Sequence, residues 1–166
     1  SIGGNGRRMN LPEGLKIRYG VFTSDRTFAK MIIDNLKLSH GGKVEKYINS
    51  THELSCYMND GTNFIWLGSN ESIRGFRCAR AVVDISTCSV EFIQKVIKPI
   101  CIYADKEDFE IVTSKETSGN LFEFINQLEK IAIIKGDIPV YYNDFDNCPN
   151  DQLGFKVNED GLNLYG

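Results

Sequence analysis

From Leu15 to Ser24 the chain reads LKIRYGVFTS, a run of apolar and β-branched positions that predicts a strand. The period then changes. In SDRTFAKMIIDNLKL the positions Ala29, Ile32, Ile33 and Leu36 recur at i, i+3, i+4 and i+7, one face of a helix. Ser24 or Thr23 is expected to cap it, with Asp25 in the first turn where the helix dipole favours negative charge. Gly41 or Gly42 supplies the backbone freedom of the helix exit. Next, ELSCYM and TNFIWLG, joined by NDG, predict two strands across a tight turn.

RAVVDI (80–85) is a short continuous apolar run, the pattern of a strand covered on both faces. Behind it, SVEFIQKVI sets Val90, Ile93 and Ile97 on one helical stripe, which Pro99 is expected to stop. FEIVTS (109–114) predicts a further strand. NLFEFINQLEKIAIIKG predicts a long helix with Leu121, Phe124, Ile125, Leu128 and Ala132 on its inner face and Gly136 at its end. The alternation of strand and helix predicts an α/β protein with a mainly parallel sheet, helices on both faces and one β-hairpin. Residues 1–136 form that domain. Residues 137–166, richer in Asn, Asp and Gly, form an extension with a short strand at IPVYY.

Composition changes this picture little. At 166 residues, with 42% hydrophobic and 25% charged residues, the chain suits one domain with a substantial core. A net charge of −3 argues against whole-surface attraction to DNA phosphates and leaves room for a local basic patch. Five cysteines, Cys56, Cys78, Cys88, Cys101 and Cys148, without CxxC spacing indicate buried reduced thiols rather than a disulfide framework or zinc site. No stretch approaches a membrane span and no signal-peptide pattern is present, so a cytoplasmic location is expected. Ser1 in place of an initiator Met reads as a cloning scar or the cut edge of a longer chain.

Four segments in order, GVFTSDRTFAKMI, CYMNDGTNFIWLGS with SIRG after it, AVVDI, and IVTSKETSGNLFEF, carry a resemblance. They are similar to the ATPase domain of the large terminase subunit, the motor that packages DNA into tailed-phage capsids, itself related to helicase-type P-loop ATPases. In the last segment Gly119, Asn120 and Phe122 stand where that family's coupling motif has Gly, Asn and Phe. The resemblance spans roughly Leu15 to Lys130. It implies a P-loop ATPase core in a bacterial host's cytosol, acting with DNA or a protein partner.

The departures bear on chemistry. A phosphate loop needs glycines whose N–H groups wrap the phosphates, a Lys, and a Ser or Thr for Mg²⁺. The one candidate is GGNGRRMN (3–10), with Gly4, Gly6 and Arg8 as vestigial nucleotide contacts; Met9 falls where Lys belongs and Asn10 where Ser/Thr belongs. Asp84 stands where a Mg²⁺-associated carboxylate would, but Ile85 follows it in place of the Glu that orients the attacking water. Asp84 reads equally as a carboxylate closing a buried strand. Catalytic residues, metal ligands and a resident cofactor are therefore not expected; ATP and Mg²⁺ belong only to the alternative in which the phosphate-binding residues lie outside this chain.

Arg74, Phe76, Arg77 and Arg80 gather cations around an aromatic, a contact set for nucleic acid or a partner. The plainer reading has Gly75 turning the chain and the arginines pairing with carboxylates. DFDNCPND (144–151) lacks the central Gly and closing Glu of a calcium loop and reads as a solvated turn. His40 and His52 stand at no informative spacing from a Ser or Cys nucleophile. Tyr57, Phe64 and Trp66 read as packing, or as a partner patch if exposed together. The expected function is a non-catalytic, phage-associated protein on a degenerate terminase-like scaffold, acting in packaging or against a host complex.

Overall fold

The computed structural model describes residues 17–69, 76–116, 120–143 and 154–165. Gly4, Gly6, Arg8, Arg74 and the 144–151 loop lie outside them. Strand β1 (Arg18–Phe22) leads into α1 (Arg26–His40), followed by β2 (Val44–Asn49), β3 (Leu54–Met58), β4 (Asn63–Trp66) and β5 (Arg80–Asp84). A helix follows, built of α2 (Val90–Phe92), a π segment (Ile93–Ile97) and α3 (Lys98–Ile100). A 3₁₀ turn (Lys106–Asp108), β6 (Phe109–Val112), α4 (Leu121–Lys135), β7 (Val140–Asn143), β8 (Gly154–Asn158) and β9 (Gly161–Tyr165) complete the order.

The protein is α/β, with a mixed six-stranded sheet in the order β2-β3-β4-β1-β5-β6. β1 runs parallel to β4 and β5, and β5 parallel to β6, whereas β3 is antiparallel to both β2 and β4. The expected hairpin is thus one part of a three-stranded antiparallel run. β2 escaped the sequence reading because it is an outer strand exposed on most positions, with no apolar alternation. A bulge between Val44 and Lys46 and the exposed charges of Glu45 and Lys46 protect that edge from pairing with another chain.

β1 and β5 are covered on both faces, as their apolar runs require. Phe22, Ala81, Val83 and Phe109 meet Phe92, Ile93, Ile97, Ile131 and Ile134 on one side. Tyr19, Val21, Phe64 and Val82 meet Ala29, Ile32 and Ile33 of α1 on the other. The backbone of β1 is approached so closely that Gly20 has no room for a side chain: a Cβ there would lie 2.8 Å from Cε2 of Phe22 and 2.9 Å from Sγ of Cys78. Gly20→Ala is expected to cost about 1–3 kcal/mol through overpacking, read as a lower denaturation midpoint with an unchanged slope.

Three helix expectations need correction. Asp25, not Ser24 or Thr23, caps α1, accepting from the Phe28 N–H at 3.1 Å, and Gly41 closes the helix in the left-handed region at φ 72°. Pro99 does not stop the second helix, which runs to Ile100. The π segment shifts bonding so that the Lys98 N–H reaches the Ile93 carbonyl, widening the turn just ahead of the residue that lacks a donor. α4 is rotated from its expected face. Leu121 and Ile125 are exposed, Phe124 and Leu128 half-buried, and the buried positions are Gln127, Lys130, Ile131 and Ile134. Two polar side chains thus occupy the inner face, and Lys130 uses its place there to reach a backbone carbonyl.

The extension contains more than the strand expected at IPVYY (138–142), which is found as β7. β7, β9 and β8 form a second, three-stranded sheet in that order, and Leu162 joins the main core. Among the described residues no helix is long and apolar enough to cross a membrane.

Candidate site at the carboxyl ends of the parallel strands

Adjacent parallel strands β1 and β5 send their chains to opposite faces of the sheet, β1 into α1 and β5 into α2. In open α/β sheets such a reversal leaves a crevice outside the carboxyl ends of the strands, where ligands commonly bind. Each strand bordering it ends in hydroxyl residues: Thr23 and Ser24 after β1, Ser86 and Thr87 after β5, Thr113 and Ser114 after β6.

Asp84 sits at the centre, fully buried. Its Oδ2 accepts from the hydroxyls of Ser114 at 2.6 Å, Thr23 at 2.7 Å and Thr87 at 3.1 Å. Its Oδ1 accepts from the backbone N–H groups of Ser86 at 3.0 Å and Ser114 at 3.1 Å. Five donors therefore share a carboxylate with about four lone-pair positions. The side chain ties three strand ends together, and its lone pairs are committed. Burial pushes the carboxyl upward, but the bonds from Ser114 and Thr23 and the backbone N–H groups of Ser114 and Ser86 outweigh it and hold Asp84 below the usual carboxylate range.

The surroundings extend the tie. Thr23 Oγ1 also accepts from the Asp25 N–H at 3.1 Å, and Thr87 Oγ1 from the Ser24 N–H at 3.1 Å, so the turn into α1 hangs from the same hydroxyls. The Trp66 indole donates to the Thr23 carbonyl at 2.7 Å, and the Arg26 guanidinium lies 5.4 Å from the Trp66 ring centroid. Lys130 donates to the Ile85 carbonyl at 2.8 Å, with its ammonium pushed down by burial. The Cys88 thiol, beside Asp84, is pushed up to about 12, first by burial and then by that charge. Ile85 is itself fully buried, in the core cluster with Phe92, Ile93 and Ile97.

Of the arginine set, Phe76 and Arg77 are exposed. Arg18 lies over the Phe76 ring at 5.3 Å and donates from Nε to the Asn63 side chain at 3.0 Å. Arg80 is only 7% exposed; it stacks over Tyr19 at 5.6 Å and pairs with Asp108 at 3.6 Å, which removes it from any surface contact set. Its sequence position beside Phe76 and Arg77 hid this, because strand alternation turns it onto the sheet face. Phe76 and Arg77 flank the amino ends of β1 and β5, opposite the Asp84 crevice, so the structure does not bring the two candidate groups together. Phe64 is buried, and Tyr57 and Trp66 are half-buried, so the three form no exposed patch. His40 is accounted for by a 2.8 Å contact to Asp60.

Sequence reasoning found Asp84 and, as one reading of it, a turn with Ser86 and Thr87, both of which donate to it; it missed Thr23, Ser114 and Lys130 as companions. The available signal was the recurrence of Ser/Thr directly after three separate apolar strands. Among the described residues, no group of three or more His, Cys, Asp or Glu side chains is placed to share a metal ion. No protein-family model matches the chain, and no curated protein or solved structure matches it. The class that fold and site define is an α/β protein with a mixed sheet whose strand-end crevice is closed by a buried, hydrogen-bonded carboxylate.

Proposed function

We propose that this chain is a non-hydrolytic protein on a degenerate terminase-like scaffold, which binds nucleic acid or a protein partner in phage DNA packaging or against a host complex. The observation that carries the absence of hydrolysis is Asp84: both oxygens are occupied by protein donors, and the neighbouring position holds a core isoleucine. Holding a cation-bound water there would require breaking hydroxyl bonds that join three strands. Positioning and charge stabilisation, on which phosphoryl transfer depends, have no side chain left to supply them at this point. The surface offered to a partner is Phe76 with Arg77 and Arg18, an aromatic with two guanidinium groups suited to stacking and phosphate contact.

Titration with Mg-ATP, followed by Trp66 fluorescence, tests the first half. Trp66 is hydrogen-bonded to Thr23 in the crevice, and no saturable change is expected. Single-stranded DNA titration at several salt concentrations tests the second. Arg77→Ala is expected to weaken binding similarly across sequences and reduce the salt slope by about 1. Absence of binding at low salt would remove nucleic acid as the partner.

A second reading, a packaging ATPase completed by residues outside this chain, is favoured by one observation. Among the described residues β6 has no strand on its far side, and the sheet face there, with Val82 and Val112, floors a groove of about 370 Å³ beside Phe28 and Met31 of α1. Parallel sheets are normally covered on both faces, so an added strand and helix would complete this one. Saturable micromolar Mg-ATP binding favours this reading over the first.

A further inference from the structure

We propose that the cavity at the amino end of β6 binds a small zwitterion, an amino acid with a large apolar side chain, whose carboxylate meets Arg80 and Lys135. The cavity encloses about 530 Å³, within the range of small-molecule sites. It lies between the start of β6, with the 3₁₀ turn before it, and the turn of the β8–β9 hairpin, so it is separate from the Asp84 crevice. Arg80 forms part of its wall although it is only 7% exposed. Its Nε–H is buried and meets no acceptor: Asp108 approaches to 3.6 Å, too far for a hydrogen bond. A buried donor in this state costs free energy, and an oxyanion bound in the cavity supplies the missing acceptor.

Lys135 is the second fixed cation. Its ammonium donates to the carbonyls of Lys106, at 2.7 Å, and Phe109, both in the same wall, and a third N–H remains for a ligand. The buried part of the wall therefore holds Arg80, balanced in charge by Asp108, together with an unbalanced ammonium. The exposed part has the opposite sign, with Glu107, Glu110, Glu159 and Asp160 against Lys106 and Lys156. A dianion such as phosphate is repelled at that mouth. A zwitterion instead sets its carboxylate against the inner cations and its ammonium against the outer acids. Glu110 follows Phe109, whose carbonyl holds Lys135, and is assigned the ammonium. Ile138 and Val157, packed on the main core, supply apolar surface for the ligand's side chain.

Isothermal titration calorimetry on the intact chain at neutral pH tests this with four probes: phenylalanine, hydrocinnamate, which lacks the ammonium, phenethylamine, which lacks the carboxylate, and inorganic phosphate. Phenylalanine is expected to bind saturably with a Kd below about 1 mM, each single-charge analogue about tenfold more weakly, and phosphate not at all. Arg80→Met and Lys135→Met are each expected to weaken phenylalanine about tenfold and leave phenethylamine unchanged. Glu110→Gln is expected to weaken phenylalanine and leave hydrocinnamate unchanged. Three results overturn the proposal: no saturable phenylalanine binding, phosphate binding more tightly than phenylalanine, or phenylalanine affinity unmoved in folded Lys135→Met and Glu110→Gln. The wild-type ranking and these two variants decide the matter if Arg80→Met does not fold.

Discussion

Asp84→Ala is expected to lower the unfolding free energy by about 3–5 kcal/mol, a large fraction of the roughly 5–15 kcal/mol typical of such domains. The substitution strands two part-buried N–H groups, those of Ser86 and Ser114, that have no freedom to turn elsewhere. Each costs about 1–3 kcal/mol when unsatisfied. The three hydroxyls that lose the same acceptor rotate and recover part of the loss, since Thr87 and Thr23 already lie 3.5 Å apart. Urea denaturation at neutral pH measures the effect, and a change under about 1 kcal/mol would falsify the role assigned to the carboxylate as the tie between three strands.

The same group sets an acid dependence. Its folded pKa lies below the ordinary value of 3.8, so the unfolded chain takes up the proton first. Its contribution is therefore fully present above that ordinary value and disappears as pH falls through the lower folded pKa. Wild-type stability should drop across this window. In Asp84→Asn the drop due to this residue should vanish, and the difference between the two proteins should shrink as pH falls.

Ile85→Glu has the second largest expected effect. It introduces the residue that the terminase resemblance would demand, yet neither hydrolysis nor nucleotide binding is expected to appear. The side chain is fully buried in the cluster with Phe92, Ile93 and Ile97, so a glutamate there faces apolar side chains instead of the crevice. Burying a carboxyl without a partner costs several kcal/mol even after it neutralises, and about 4 kcal/mol or more is expected here. Denaturation and a phosphate-release assay on the same preparation separate the outcomes. A folded variant that hydrolyses ATP would overturn the reading of the site.

Much of the fold was legible. The runs YGVF and AVV had to be central because they carry no charged position to face water, and both are buried throughout. Asp84 stood out as a lone carboxylate at the end of such a run. α4 shows where legibility ended: its apolar residues are numerous enough to support more than one inward face, and the one that packs buries Ile131 and Ile134 together with Lys130, whose amine reaches the Ile85 carbonyl. β2 was illegible for the opposite reason, having too little apolar alternation to mark it, whereas the β8–β9 hairpin, with Phe155 and Val157 alternating on one strand and Leu162 and Leu164 on the other across Asp160 and Gly161, carried a legible signal that the sequence reading passed over.

By itself the sequence determined an α/β chain with two strands buried on both faces, glycine-closed helices and no lysine–hydroxyl pair in its one glycine-rich stretch. These follow from properties local to a few neighbouring residues: period, backbone freedom and side-chain chemistry. Only the tertiary structure decided that Asp84 is spent on Thr23, Thr87 and Ser114, that Arg80 lies against Tyr19 and Asp108 instead of at the surface, and that the Cys78 N–H reaches the Ile100 carbonyl. Those meetings join residues far apart along the chain, and no short-range pattern encodes them because they exist only once the sheet has set its strand order.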